Sequence, residues 1–356
     1  MGQTKRLPYL DIVKGLGIIL VVLGHIEYIS EPLRTWISSF HMPVFFIVSG
    51  LLIRIKHEED LPMKSILHKK ARGILIPYFW FSLLYFVIDI FNVSFGKIST
   101  FDFYKNQIAS LTFYGSSVLW FLPALFLACT GFLFLHKQFP KYVSIPLIIL
   151  LAAVSILLEY FCLKPLYEAN AQSLPVTSLI DLARVFLRGA IDMSFVCFAY
   201  HACPLLTKGD RFSPLQLLTG IVFFVMNLVL SQVNGCVDTH FLKFNNVPLF
   251  YLCAILGSVS LILICKNLSP KYLGALMFFG KNSLIVMTTH LNTYILYFAI
   301  LIAWQIDTIV TRAKSYIFVF NIMVFTFLFE ALIIVIINRF FPFVLGKGTF
   351  ICRKKD

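Results

Sequence analysis

The sequence predicts an all-α polytopic integral membrane protein, with about ten transmembrane helices and both ends on the cytoplasmic side. Three observations point there. The 356-residue chain is 59% hydrophobic and only 13% charged, against about 25% charged in a soluble domain, so it lacks polar surface to cover a globule. Its apolar residues come in runs of about 18 to 22, the length that crosses a bilayer as helix. Lys and Arg are divided unevenly between successive loops. Backbone polar groups cannot go unpaired in hydrocarbon, so the spans are helical. The alternating, turn-separated pattern of a membrane barrel is absent.

The runs place spans at roughly 10–29, 36–53, 74–91, 118–135, 143–161, 178–203, 215–231, 247–265, 282–302 and 316–337. Of the 30 Lys and Arg, 21 fall on the inner side of this scheme and 7 on the outer, while Arg184 and Arg188 lie within a span. That asymmetry sets the orientation. The formal net charge of +13 would suggest nucleic acid in a soluble protein. Here it is the cytoplasmic bias of the loops, and no nucleic-acid module is visible. The eight Cys are scattered singly, with no metal-ligand spacing. Neither a metal nor a Cys162–Cys236 disulfide is expected. The first apolar run has no small-residue cleavage site and reads as a retained signal-anchor. Repeats and a separate soluble domain are absent, so residues 1–356 read as one transmembrane domain. The inner loop 54–73 is the most basic, and 92–117 is the longest outer loop.

Ionisable groups inside spans are costly, which makes each a functional candidate. The first span holds Asp11, Lys14 and His25. Lys14 and His25 are 11 residues apart, three turns plus about 20°, so they share a face with a rise of about 16 Å. Asp11 lies one turn before Lys14, placed to pair with it. In the returning second span His41 reaches the depth of His25. Pro43, in FHMPVFFIVSG, kinks that helix, and Ser49 and Gly50 allow close helix approach. The ninth span carries GKNSLIVMTTH, with Asn282 at the inner edge and His290 about 12 Å higher.

Plainer readings stand beside these. Lys14 taken alone is a snorkelling, topology-setting lysine. Lys64, Lys69, Lys70 and Arg72 taken alone are positive-inside bias. Arg184 and Arg188, flanked by Asp181 and Asp192, read equally as a buried ion-pair cluster or as the lining of an anionic-substrate route. Trp120 begins a span at the outer interface, where Trp partitions. Glu330 reads as an interhelical hydrogen-bond partner.

YLDIVKGLGIILVVLGH followed by FHMPVFFIVSG resembles the opening of the acyltransferase 3 family of membrane acyltransferases. That family carries a basic residue, ten residues, then His in its first helix; here these are Lys14 and His25. Lys14 stands where many members have Arg, keeping the charge without the bidentate fork. RGILIPY (Arg72 to Tyr78), LWFLPALF (Leu119 to Phe126) and GKNSLIVMTTH (Gly280 to His290) extend the likeness along the chain. Within the family it looks most similar to the sugar O-acetyltransferases related to fucose O-acetylases.

The resemblance implies acyl transfer, usually of acetyl, from acyl-CoA to a hydroxyl of a cell-surface or lipid-linked carbohydrate, by a multi-pass protein of the inner (plasma) membrane. Acetyl-CoA enters as donor substrate, with no bound cofactor. On this reading Lys14, Lys69, Lys70 or Arg72 hold the CoA phosphates at the inner mouth. His25 acts as general base on the acceptor hydroxyl, or in a variant as a covalent acetyl carrier. His41 orients His25 or binds acceptor, Trp120 stacks on a sugar face, and Asn282 and His290 are further cavity groups. Asp11, Ser49, Arg184 and Arg188 complete the candidates. The competing expectation is a polysaccharide or glycolipid transporter without acyl transfer.

Overall fold

The computed structural model describes residues 7–209, 212–310 and 316–348. Lys5, Arg6, Arg211, Arg312, Lys314, Arg353, Lys354, Lys355 and Cys352, used in the charge and cysteine readings, lie outside these residues. In chain order the α-helices are α1 (Pro8–Gly24), α2 (Glu31–Ser38), α3 (Pro43–Ile55), α4 (Met63–Lys70), α5 (Ile76–Ser94), α6 (Thr100–Leu111), α7 (Phe121–Gln138) and α8 (Lys141–Leu158). They continue with α9 (Lys164–Ala169), α10 (Leu174–Thr207), α11 (Pro214–Asn234), α12 (Val247–Lys266), α13 (Gly274–Lys281), α14 (Ser283–Thr289), α15 (Ile295–Val310) and α16 (Tyr316–Phe340). Among the described residues the only extended pairing is an isolated antiparallel bridge between Asp238 and Lys243.

Seven helical stretches among the described residues are long and apolar enough to cross a membrane: Glu31–Ile55, Met63–Ser94, Ser117–Gln138, Lys141–Ala169, Pro214–Asn234, Val247–Lys266 and Tyr316–Phe340. The other three expected spans depart for local reasons. α1 has 17 residues and stops at Gly24, short of the expected end. α10 has 34 residues but carries Asp181, Arg184, Arg188 and Asp192. The expected span 282–302 is divided between α14 and α15. The chain turns at 290–294, where Tyr294 takes φ 64° and Leu296 N–H reaches back to the His290 carbonyl at 3.1 Å. The second expected span breaks between α2 and α3, because Pro43 has no N–H and its ring excludes the carbonyl four residues earlier.

One continuous apolar core runs through α1, α3, α7, α10 and α12, and a smaller one packs Ile26, Ile37, Leu296, Phe318 and Ile322 near the far end of α1. Lipid tails are as apolar as these side chains, so helices associate by close packing at small residues. A Cβ on Gly280 would lie 1.8 Å from the Asp11 carbonyl oxygen, and one on Gly15 would lie 2.1 Å from that of Leu276. These glycines let α1 and α13 touch backbone to backbone. Gly50 does the same for α3 against Val196 of α10, at 2.4 Å, as expected from the sequence. Gly280→Ala is expected to push α13 off α1, since neither contact atom is a movable side-chain end. The monodisperse fraction on size-exclusion in detergent should fall severalfold, with Gly274→Ala, whose Cβ meets nothing within 4 Å, as the unaffected control.

Candidate active site

Two cavities flank α1. One, of about 360 Å³, is lined by His25, Arg34, His41, Trp120, Asp238 and His240 among others; the second, of about 120 Å³, is lined by Lys14, Phe45, Ser49, Phe121 and Ser283 among others. Met287 lines both. Phe45 and Phe121 meet edge to face beside it, with centroids 5.8 Å apart. The first cavity lies toward the end of α1 expected to face outward, and the second toward the end expected to face inward. They are called outer and inner below. The face shared by Lys14 and His25 therefore opens on both.

The three membrane histidines use one device. Nδ1 of His25, His41 and His290 lies 2.8, 2.9 and 2.8 Å from the carbonyl oxygen four residues earlier, on Val21, Ile37 and Val286. A carbonyl can only accept, so Nδ1 carries the proton and Nε2 of the neutral ring keeps its lone pair. His290 is fully buried and lines neither cavity. Its Nε2 stands 3.5 Å from His25 Nδ1, with the rings edge to face at 5.0 Å. It is a group behind His25 rather than the cavity group expected from sequence. Among the described residues nothing bonds Nε2 of His25, and that ring lines the outer cavity. This is the arrangement of a base. His41, in the break between α2 and α3, lines the same cavity.

Arg34, one of the seven basic residues that the span scheme puts on the outer side, organises this end of α1. Its Nη1 donates to the Gly24 carbonyl at 2.9 Å, and its Nη2 to the Ile26 carbonyl at 3.1 Å. Both peptide neighbours of His25 are thus held by one guanidinium, which satisfies carbonyls that a helix end leaves open. Asp238 and His240 were also missed. They sit on a hairpin closed by the Asp238–Lys243 backbone bonds, at 2.9 and 2.8 Å, that roofs the outer cavity. Only the cation near a helix C-terminus left a sequence signal.

At the inner end Lys14 Nζ pairs with Asp11 at 3.0 Å, as expected. Lys69 and Lys70 reach Glu58 at 2.8 and 2.7 Å. Burial pushes the Glu58 carboxyl up, but Lys70 and then Lys69 outweigh it and hold the group below its ordinary value. Lys56, not singled out from sequence, is held below its ordinary value by burial. Glu58 opposes that shift, while Lys69, Lys70 and Lys14 add to it. These ammonium groups therefore share one field. A depressed carboxyl contributes stability above its unfolded value of 4.5, and that contribution is lost as pH falls through the lower folded value. Proteolytic protection of the 56–70 loop is accordingly expected to fall as pH drops below about 4.5, with a flat profile in Glu58→Gln.

The remaining candidates divide. Ser49 lines the inner cavity, with its hydroxyl donating to the Phe45 carbonyl at 2.8 Å. Arg72 does not join it: Nε donates to the Gly346 carbonyl at 2.5 Å, in a separate groove with His68, Trp80 and Phe343. Trp120 stacks on His240, 5.4 Å between centroids and 5° between planes, so that imidazole takes the place expected for a sugar. Asn282 accepts from Asn338 at 2.9 Å and ties the start of α14 to α16. Arg184 is an ion-pair residue, 2.8 Å from Glu159 and 3.3 Å from Asp181. Glu330 takes the Thr289 hydroxyl on both oxygens, at 3.0 and 2.8 Å, the interhelical role expected of it. Cys162 and Cys236 are free thiols.

Membrane-length apolar helices, with two cavities beside α1, define a multi-pass membrane protein. The family model described as an acyltransferase domain matches residues 7–337. The chain belongs to the acyltransferase 3 family and is a membrane acyltransferase, as the Lys14–His25 motif implied. Neither the curated proteins nor the solved structures include a match.

Proposed function

We propose that the protein moves an acetyl group from acetyl-CoA to a hydroxyl of a cell-surface or lipid-linked carbohydrate, within the inner (plasma) membrane, spanning it about ten times with both ends cytoplasmic. One observation carries this reading. A single helix face presents a cation to the inner cavity and a free imidazole nitrogen to the outer one, with Met287 as their common wall. The rise of about 16 Å between them suits an extended pantetheine arm. Lys14, with Lys56, Lys69 and Lys70 nearby, holds the CoA phosphates. His25 Nε2 takes the proton of the acceptor hydroxyl as its oxygen attacks the thioester carbonyl. The carbonyl–sulfur bond breaks, and the CoA thiolate leaves and is protonated. His290 and Arg34 keep the His25 ring in register.

The test is acetyl-CoA-dependent thiol release by the full chain in proteoliposomes supplied with glycan acceptor. Glycan movement across the bilayer without thiol release would favour the transporter reading and overturn this one. In the same assay Arg34→Ala is expected to lower kcat by on the order of tenfold to a hundredfold, since small misplacements of a reacting group carry such losses. The KM for acetyl-CoA should barely change.

A further inference from the structure

A buried charge without partners is expensive, and α10 holds one. Arg188 is 1% exposed. Its Nη1 donates to the Tyr114 carbonyl at 3.2 Å, and its guanidinium carbon lies 4.1 Å from the Tyr114 ring centroid and 5.4 Å from that of Trp120. Nε and Nη2 are sealed from solvent and bond nothing. Arg184, one turn earlier, shows what a structural arginine looks like here, because two carboxylates meet it. Among the described residues no carboxylate comes within 4 Å of Arg188, although Asp181 and Asp192 lie on the same helix.

The same two rings hold His240. It stacks on Trp120 and sits 5.5 Å from Tyr114, centroid to centroid. Its Nε2 is likewise buried and unbonded, while the ring lines the outer cavity. Two orphaned groups thus share one aromatic frame at the edge of the candidate acceptor site. Unsatisfied buried polar groups in native proteins call for a specific cause. The free edge of Arg188, Nε beside Nη2, is the edge that grips two oxygens of one carboxylate or phosphate. Burial, Arg188 and Arg184 push His240 down to about 3, so its ring is neutral and has one N–H to give.

We propose that Arg188, behind the cavity wall, and His240, in that wall, form an anion subsite at the edge of the outer cavity, binding the carboxylate or phosphate oxygens of an acidic acceptor, a uronic-acid sugar or a lipid-linked sugar phosphate. It rests on the proposed function only in calling the bound molecule an acceptor. His25 in the cavity then receives the hydroxyl, while the acid group held beside Tyr114 and Trp120 fixes which hydroxyl arrives.

The test is the thermal midpoint of the purified full chain in detergent, at constant ionic strength, with sodium glucuronate, inorganic phosphate or glucose. One of the two anions is expected to raise the midpoint by about 2 °C or more, identifying the carboxylate or the phosphate source; glucose is not. The shift should vanish in Arg188→Met and in His240→Phe. Without anion, Arg188→Met should match or exceed wild type, because an apolar side chain replaces an unpaired buried charge, whereas Arg184→Met should fall. The proposal is overturned by the absence of any anion shift in wild type, or by an undiminished shift in the variants. If Arg188→Met does not fold, His240→Phe decides alone. Binding needs no acetyl-CoA, so failed thiol release beside a positive anion shift would sink the transfer reading and leave this one standing.

Discussion

His25→Gln is expected to abolish measurable glycan acetylation while leaving a folded protein. Positioned general bases contribute about 10²–10⁴ in rate, and glutamine keeps much of the volume of imidazole without a lone pair that takes protons. The expected result is a kcat for thiol release down by roughly a hundredfold or more, with unchanged size-exclusion behaviour and unchanged KM for acetyl-CoA. His290→Gln makes an informative partner. His290 meets His25 at Nδ1 and opens on neither cavity, so its loss should lower kcat less and leave a residual pH profile. If His25→Gln retains wild-type turnover, the imidazole has no part in the chemistry, whatever its position.

Removing the cation at the other end of α1 should act on binding. Lys14→Ala is expected to raise the KM for acetyl-CoA by roughly tenfold to a hundredfold, the range of a charge-assisted hydrogen bond of about 1.5–3 kcal/mol, with kcat changed little. Lys14→Arg should recover most of the affinity, since it keeps the charge and adds a fork. Asp11 loses its ion pair with Lys14 in Lys14→Ala, so Asp11→Asn/Lys14→Ala separates loss of the donor contact from loss of the ion pair. Equal KM for all three proteins would reduce Lys14 to a topology signal. Salt offers a second reading of the same contact. Raising ionic strength should raise KM in wild type more than in Lys14→Ala, because exposed charges are screened within about a Debye length.

The order of helices and the Lys14–His25 axis could be read from sequence because both depend on local periodicity. Apolar runs of membrane length and a separation of 11 residues on a 3.6-residue turn need no tertiary information. The Asp11–Lys14 pair and the close approach at Gly50 follow from the same rules. The breaks were harder. Pro43 announced one of them, but the turn at 290–294 depends on Tyr294 in a left-handed conformation, bonded through its hydroxyl to Asn92. Arg34 looked like a loop charge because its three carbonyl acceptors lie seven to ten residues back along the chain. Asp238 and His240 sit in a hairpin more than 200 residues from His25, where only folding brings them over the cavity. Arg184 and Arg188 could not be told apart on paper: the carboxylate that engages Arg184 comes from Glu159, turned inward by a π-helical turn at Glu159–Leu163.

Met287 is a wall common to the two recesses, and Phe45 and Phe121 meet edge to face along the inner one. A membrane that stores an ion gradient tolerates deep openings from both sides only if water cannot thread between them. The thioether suits that duty, being unbranched and able to swing among several rotamers without exposing a polar atom. On the proposed function, a slim pantetheine arm would push it aside as it passes. Withdrawal of the spent thiol would let the wall re-form before protons follow. The enzyme would then admit its donor and preserve the gradient by the motion of one side chain.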